Sequence, residues 1–260
     1  MNTFSPIADS LFYPSYTQHQ TPIVLCDFDG TISVKDVTDT LLSYFGQDGC
    51  DELEELWVNG KIGSQECMSK QIALMDASLE EVNQVLSKIE IDPMFKSFLD
   101  YTVQNNIPVH VVSDGLDYSI QFILKHHGIE HLPIFANRLL HDNARSWRLE
   151  FPYANKLMHN NQRSWRLEFP FANKNCIKQS GNCKCNHVKQ QQHFPQILYV
   201  GDGTSDFCVS HHVDLVFAKD KLINYCEKNN IKHSAIESFA DVTAALKQMQ
   251  QTLIPVMAVK

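Results

Sequence analysis

Asp27 and Asp29 stand one residue apart at the end of the apolar run Pro22-Ile23-Val24-Leu25-Cys26, and Gly30 and Thr31 follow them. Alternate residues of a strand face the same side, so both carboxylates leave the strand end facing one place. Anions that close repel unless a cation or a proton lies between them, which makes this the place to expect a metal. A second polar cluster, Gly201-Asp202-Gly203-Thr204-Ser205-Asp206, follows the apolar run Ile197-Leu198-Tyr199-Val200. Its glycines let backbone approach a metal or a phosphate closely. A third, Ser113-Asp114-Gly115, follows Ile107-Pro108-Val109-His110-Val111-Val112.

The elements that must position these residues alternate in type. Strands are expected at 23–26, 107–112, 132–140, 197–200 and 214–218. After Thr31, the residues Val37, Leu41, Leu42 and Phe45 have helical spacing, with Ser33 and Asp36 as caps. Further helices are expected at 52–57, 64–75 and 78–89, the last opened by a capping box, Ser78 with Glu81. Others follow at 93–105, up to His127, and around 222–228 and 240–251. Strand, polar turn and helix form the doubly wound unit, whose ligands gather at the C-terminal ends of strands. The expected fold is α/β: a Rossmann-like doubly wound parallel sheet over 21–35 and 91–260. A small helical cap is inserted at 36–90, and 1–20 form an irregular lead-in.

The chain has 260 residues, 43% of them hydrophobic and 20% charged, which suits one large domain or a core with a smaller insertion. No apolar run approaches the ~20 residues of a membrane span. The start, Met1 to Pro6, has no basic stretch leading into an apolar one, so a cytoplasmic protein without membrane attachment is expected. Eight scattered cysteines read as reduced thiols. The net charge of −8 argues against general nucleic-acid binding. That charge is uneven. Residues 143–193 carry nine Lys/Arg and two Asp/Glu, a local +7, which leaves −15 for the rest.

Within that basic stretch, residues 145–156 recur at 163–174 with eleven of twelve positions matching. Two copies are too few for a solenoid, so a local duplication is expected in which one copy packs and the other loops out. The second, next to the following motif, is favoured as the integrated copy. Cys176, Cys183, Cys185 and His187 invite a zinc reading, but their spacing does not match a usual finger or ribbon.

Asp27-Phe28-Asp29-Gly30-Thr31 resembles the first motif of the haloacid-dehalogenase-like phosphatases. Ser113, Lys184 and the Asp202/Asp206 cluster follow in that family's order, and the resemblance covers roughly residues 21–250. It implies that Asp27 attacks phosphorus and that Asp29 serves as acid and then base. It further implies that Ser113 and Lys184 hold the phosphoryl group, with Lys178 and Lys189 competing for the lysine's place. Mg²⁺ is implied on Asp27, Asp202 and the backbone carbonyl of Asp29, with Thr31 and Asp206 in support. The helices between the first two motifs resemble the small cap of the phosphoserine-phosphatase-like branch. Asp36 falls where that branch binds the polar end of its substrate, and Ser113, Asp114 and Gly115 are further candidate contacts. Asp36, the stretch from Gly60 to Cys67, and Asn182-Cys183-Lys184 are together most similar to the methionine-salvage branch. Ser113-Asp114-Gly115 departs from the Ser-Gly-Gly expected there, and so does the basic duplication. The implied activity is hydrolysis of a small phosphorylated metabolite through an aspartyl-phosphate, with 2-hydroxy-3-keto-5-methylthiopentenyl-1-phosphate as the leading substrate. Phosphoserine or another amino-alcohol phosphate is the alternative. A binding protein on a retired catalytic fold and a phosphotransferase stay open, as does the choice between monomer and homodimer.

Overall fold

The structure is a computed structural model and describes residues 21–141, 147–150 and 179–253. At its centre is β1 (Ile23–Cys26), with all four side chains buried. Two parallel neighbours flank it. β2 (Val109–Leu116) pairs Val109 with Val24, and β5 (Ile197–Gly201) pairs Leu198 with the same residue. β3 (Ile134–His141) lies beyond β2, and β6 (Leu215–Ala218) and β7 (His233–Ala235) lie beyond β5, all parallel. β4 (Trp147–Glu150) closes one edge antiparallel to β3. The sheet order is β4-β3-β2-β1-β5-β6-β7.

The period of two along β1 assigns each face of the sheet. Val24 and Cys26 join one buried layer and Ile23 and Leu25 the other. Burial on both sides is what a parallel sheet with helices on each face requires. The first layer takes residues of α5 (Phe95–Gln104), α6 (Asp117–His126) and α9 (Phe239–Leu253). The second takes residues of α7 (Lys184–Gln190) and α8 (Asp220–Lys228). Truncating one such residue, Leu25→Ala, is expected to cost about 2–5 kcal/mol. The expected doubly wound class is therefore what the chain adopts.

Between β1 and β2 the chain forms α1 (Val37–Phe45), α2 (Cys50–Val58), α3 (Ser64–Ala73) and α4 (Leu79–Leu86) before α5. The expected capping box at Ser78 and Glu81 is present. The chain runs from β1 outward through β2 and β3, then returns past β1 to β5. The crevice of the sheet thus opens at the C-terminal ends of β1, β2 and β5, where the direction of winding reverses.

β4 belongs to the first copy of the duplication, and the second, favoured as the integrated copy, lies outside the described residues. Five residues, 142–146, join β3 to β4, whereas reaching the matching Trp165 would close a loop over 142–164. The longer closure costs about 1.4 kcal/mol more, roughly a tenfold preference for the near copy. Among the described residues Cys183, Cys185 and His187 are not grouped as a metal site with one another. Cys183 packs in the second apolar layer, His187 meets His110 at 3.2 Å, and Cys176 lies outside the described residues. β7 was not expected at all.

Candidate active site

The site grows from the turn after β1. The Asp27 N–H still bonds Val200 O across the sheet at 2.9 Å, so Asp27 marks the strand end. Phe28, fully buried, turns into the core. Its carbonyl accepts the N–H groups of Thr31, Ile32 and Ser33. This tight turn brings Asp29 to the same cavity as Asp27. Gly30 sits at φ +72°, and a Cβ there would stand 2.6 Å from Asp202 Oδ2, so the turn tolerates only glycine.

Asp29 is held from two sides. Oδ1 accepts the N–H of Val37, the first residue of α1, at 2.8 Å, and Oδ2 accepts the Ser113 hydroxyl at 3.4 Å. A Cβ on Gly115 would fall on Asp29 Oδ2, so Gly115 makes room for the carboxylate rather than offering a side chain.

Lys184, at the start of α7, is buried with its Nζ 2.6 Å from Asp27 Oδ2 and 2.6 Å from Asp206 Oδ1. Ser205 Oγ lies 3.1 Å from the same nitrogen. Asp206 also accepts the Tyr199 hydroxyl at 2.5 Å and the N–H groups of Asp202 and Gly203. Thr31 donates to Asp202 Oδ1 at 2.7 Å. Of the competing lysines, Lys189 is exposed on α7 and Lys178 lies outside the described residues.

One buried ammonium faces several carboxylates. Burial pushes the Asp27 carboxyl up, and repulsion from Asp206 and Asp202 exceeds what Lys184 restores. Asp202 is raised by burial and then by Asp206. Burial also acts upward on Asp206, but Lys184, Tyr199 and the backbone N–H groups outweigh it and hold it low. Burial works against the Lys184 charge, yet Asp206 and Asp27 dominate and keep it protonated. Burial lifts Asp29 to about 6, against the Val37 N–H, Lys184 and Ser113, which pull it down. Oxygen atoms of Asp27, Asp202 and Asp206 lie within 4.8 Å of one another. Carboxylates left short of positive charge, with oxygen donors alone, suit a hard divalent cation.

Asp27, Asp29, Ser113, Asp202 and Ser205 line a cavity of about 570 Å³. Its other walls include Glu54 and Trp57 from α2 and Cys67 and Met68 from α3. Asp36 lies on the lining as the N-cap of α1, accepting the Asp39 N–H at 2.9 Å. Its carboxyl is pushed up to about 8, first by desolvation and then by Asp29 and Asp39. The residue is exposed, so solvent weakens that repulsion. Asp114 borders the cavity while its carboxylate meets Ser180 and Asn182. Ser180, Asn182 and Tyr199 were not foreseen as parts of the site. Asn182 stood only in the Asn-Cys-Lys string, and Tyr199 reads as one more apolar strand residue.

The family model described as "Putative Phosphatase" matches residues 22–254. The chain belongs to that family. Among proteins of similar sequence is a 2-hydroxy-3-keto-5-methylthiopentenyl-1-phosphate phosphatase from Bacillus pumilus, 27% identical over 234 residues. That alignment covers 88% of this chain and 93% of the relative. One of the same name from Exiguobacterium sp. is 27% identical over 228 residues, 86% of this chain and 96% of the relative. The phosphatase also shares its fold with solved structures. A phosphoserine phosphatase from T. onnurineus gives a TM-score of 0.60 at 12% identity, covering 90% of this chain and 98% of that one. A probable phosphoserine phosphatase from Vibrio cholerae gives 0.62 at 15% identity, covering 90% and 67%. The haloacid-dehalogenase-like phosphatase expected from the sequence is what these likenesses bear out. Among the described residues no helix is long and apolar enough to cross a membrane.

Proposed function

We propose that the phosphatase hydrolyses a small phosphomonoester by way of an aspartyl-phosphate on Asp27. The observation that carries this is the bridge from Lys184 Nζ to Asp27 and Asp206, set beside Asp29 at the mouth of the sheet. In the first step an Asp27 oxygen bonds to phosphorus, the ester P–O bond breaks, and Asp29 protonates the leaving oxygen. In the second, Asp29 takes a proton from water, the water oxygen attacks phosphorus, and Asp27 leaves as carboxylate with inorganic phosphate released. Splitting one displacement into two lowers each barrier. Ser113 and Lys184 meet the phosphoryl oxygens, and Asp206 fixes the lysine. Asp27, Asp202 and the backbone carbonyl of Asp29 would hold Mg²⁺. Its charge would screen the repulsion between the nucleophile and the phosphate dianion.

For the substrate we favour 2-hydroxy-3-keto-5-methylthiopentenyl-1-phosphate, after the names of the similar enzymes. The cavity supports it: Trp57, Cys67 and Met68 give an apolar, polarisable wall to a methylthio end. On this reading residues 36–90 form a small cap that closes over the site and excludes water, in a cytoplasmic enzyme. A second reading rests on Asp36, Asp39 and Glu54, which line the same cavity. That acidic wall suits an amino-alcohol phosphate, whose cation it would meet.

The test is phosphate release from a panel holding both substrate types, phosphoserine and sugar phosphates, with Mg²⁺ and with EDTA. Magnesium-dependent release is expected, strongest from the methylthio ester. Asp27→Asn should lower kcat by at least about 10³-fold and leave no acid-stable, hydroxylamine-sensitive phosphoenzyme. Equal turnover by wild type and variant would remove Asp27 from the chemistry.

A further inference from the structure

Cys185 and Cys208 face each other with their sulfurs 3.0 Å apart. That is inside the van der Waals separation of two sulfurs and about 1 Å longer than a disulfide bond. Cys185 is buried on α7, the residue after Lys184, and Cys208 is half-buried two residues after Asp206. Each cysteine is thus within two residues of one end of the 2.6 Å contact between Lys184 and Asp206. Neither sulfur takes part in the chemistry proposed above, so the pair needs another use.

We propose that Cys185 and Cys208 are a reversible disulfide pair, closed by a hydroperoxide, and that closure slows the phosphatase by shifting Lys184. Cys208, with access to solvent, reacts first. Its sulfur takes one peroxide oxygen, the O–O bond breaks, and water or an alcohol leaves, giving a sulfenic acid. The Cys185 sulfur then displaces hydroxide from Cys208, the S–S bond forms, and a second water departs with the Cys185 proton. Two thiols are oxidised and one hydroperoxide is reduced.

The coupling to activity follows from distance. Closing the bond draws α7 and the segment after Asp206 together by up to about 1 Å. A displacement of that size near reacting atoms can cost on the order of 10² in rate. Thiol reagents such as dithiothreitol reopen the bond by exchange through a mixed disulfide, so the loss is reversible.

The experiment uses the full chain, reduced, then exposed to hydrogen peroxide, blocked with N-ethylmaleimide and digested without reductant. The expected product is a peptide pair joined through Cys185 and Cys208. Turnover of p-nitrophenyl phosphate with Mg²⁺ should drop about tenfold or more at unchanged KM and return with dithiothreitol. Peroxide should leave the rate of Cys208→Ser unchanged. If both cysteines carry N-ethylmaleimide after peroxide, the pair does not close and the proposal falls. Cross-linked protein at full rate would overturn the coupling to Lys184. His212 brings a ring nitrogen within 4.8 Å of both sulfurs, so zinc analysis decides a rival use. Stoichiometric zinc in the purified wild type, lost in His212→Ala, would make the sulfurs metal ligands and sink the disulfide. The peptide map of the wild type stands even if a variant misfolds.

Discussion

Asp114 receives the Ser180 hydroxyl on both carboxylate oxygens, at 2.7 and 2.9 Å. It also accepts the Asn182 N–H at 3.3 Å, and Asn182 Nδ2 donates to the carbonyls of Ser113 and Phe135. The segment just before Lys184 is thereby pinned to the end of β2. An aspartate in place of the glycine expected there makes this brace. Asp114→Ala leaves the buried Asn182 N–H without its acceptor and the Ser180 hydroxyl with only the Asn182 carbonyl, 3.0 Å away. We expect a loss of about 1–3 kcal/mol in urea unfolding. The kcat should fall about tenfold with KM little changed, since the variant loosens Lys184 rather than removing a contact to substrate. A selective rise in KM would instead make Asp114 a substrate contact.

Asp29, lifted to about 6, is protonated below that pH and ionised above it. As the acid of the first step it must carry its proton, so its ionisation should make kcat/KM decline above about pH 6, up to tenfold per unit. Ser113 pulls the Asp29 carboxyl down. Ser113→Ala should therefore move this limb to higher pH, whatever it does to the maximal rate. A limb that stays in place or moves down would dissociate Asp29 from the profile.

His187 is buried and its ring is lowered to about 3, by desolvation first and then by His110. Between about pH 6.5 and 3 the unfolded chain binds a proton that the folded one refuses. Stability from this group is therefore complete above 6.5 and lost as pH falls toward 3. One unit below 6.5 the loss is about 1.4 kcal/mol. Denaturant unfolding at neutral pH and at about pH 5.5 should show it in wild type, and His187→Gln should lack that share of the slope. Equal slopes would refute the assignment.

Deleting 145–162 or 157–174 gives the same chain except for one position, Phe171 kept in the first and Tyr153 in the second. Both keep a Trp-Arg-Leu-Glu strand five residues after β3. Both shorten the connection from Glu150 to Lys184 by 18 residues, from 33 to 15. Each should fold, gain about 0.7 kcal/mol from the shorter loop, and retain kcat. Loss of cooperative unfolding in both would show that the doubled segment is required.

What was legible in the sequence was local. Asp27, Asp29, Ser113, Asp202 and Asp206 stand in polar clusters directly after apolar runs, and a strand followed by a turn announces itself within ten residues. Lys184 was reached through resemblance, because nothing in Asn-Cys-Lys says that the lysine is buried. β7, His233–Ala235, lacks an apolar run and owes its pairing to β6. Asp114 with Ser180, His110 with His187, and Cys185 with Cys208 join residues 66, 77 and 23 positions apart. Such pairs exist only once the sheet order is fixed.

The position of β1 at the middle of the sheet bears on how the protein is made. Its partners begin at Val109 and Ile197, so β1 leaves the ribosome well before either strand that flanks it. Through most of synthesis Ile-Val-Leu-Cys offers at least one unpaired edge, a template for mispairing with other chains. Long-range parallel pairing of this kind forms slowly. Asp27, at the tip of β1, therefore meets Lys184 and Asp206 only after the chain has been synthesised past Asp206. Until then the nascent polypeptide has neither a closed sheet nor a nucleophile in place.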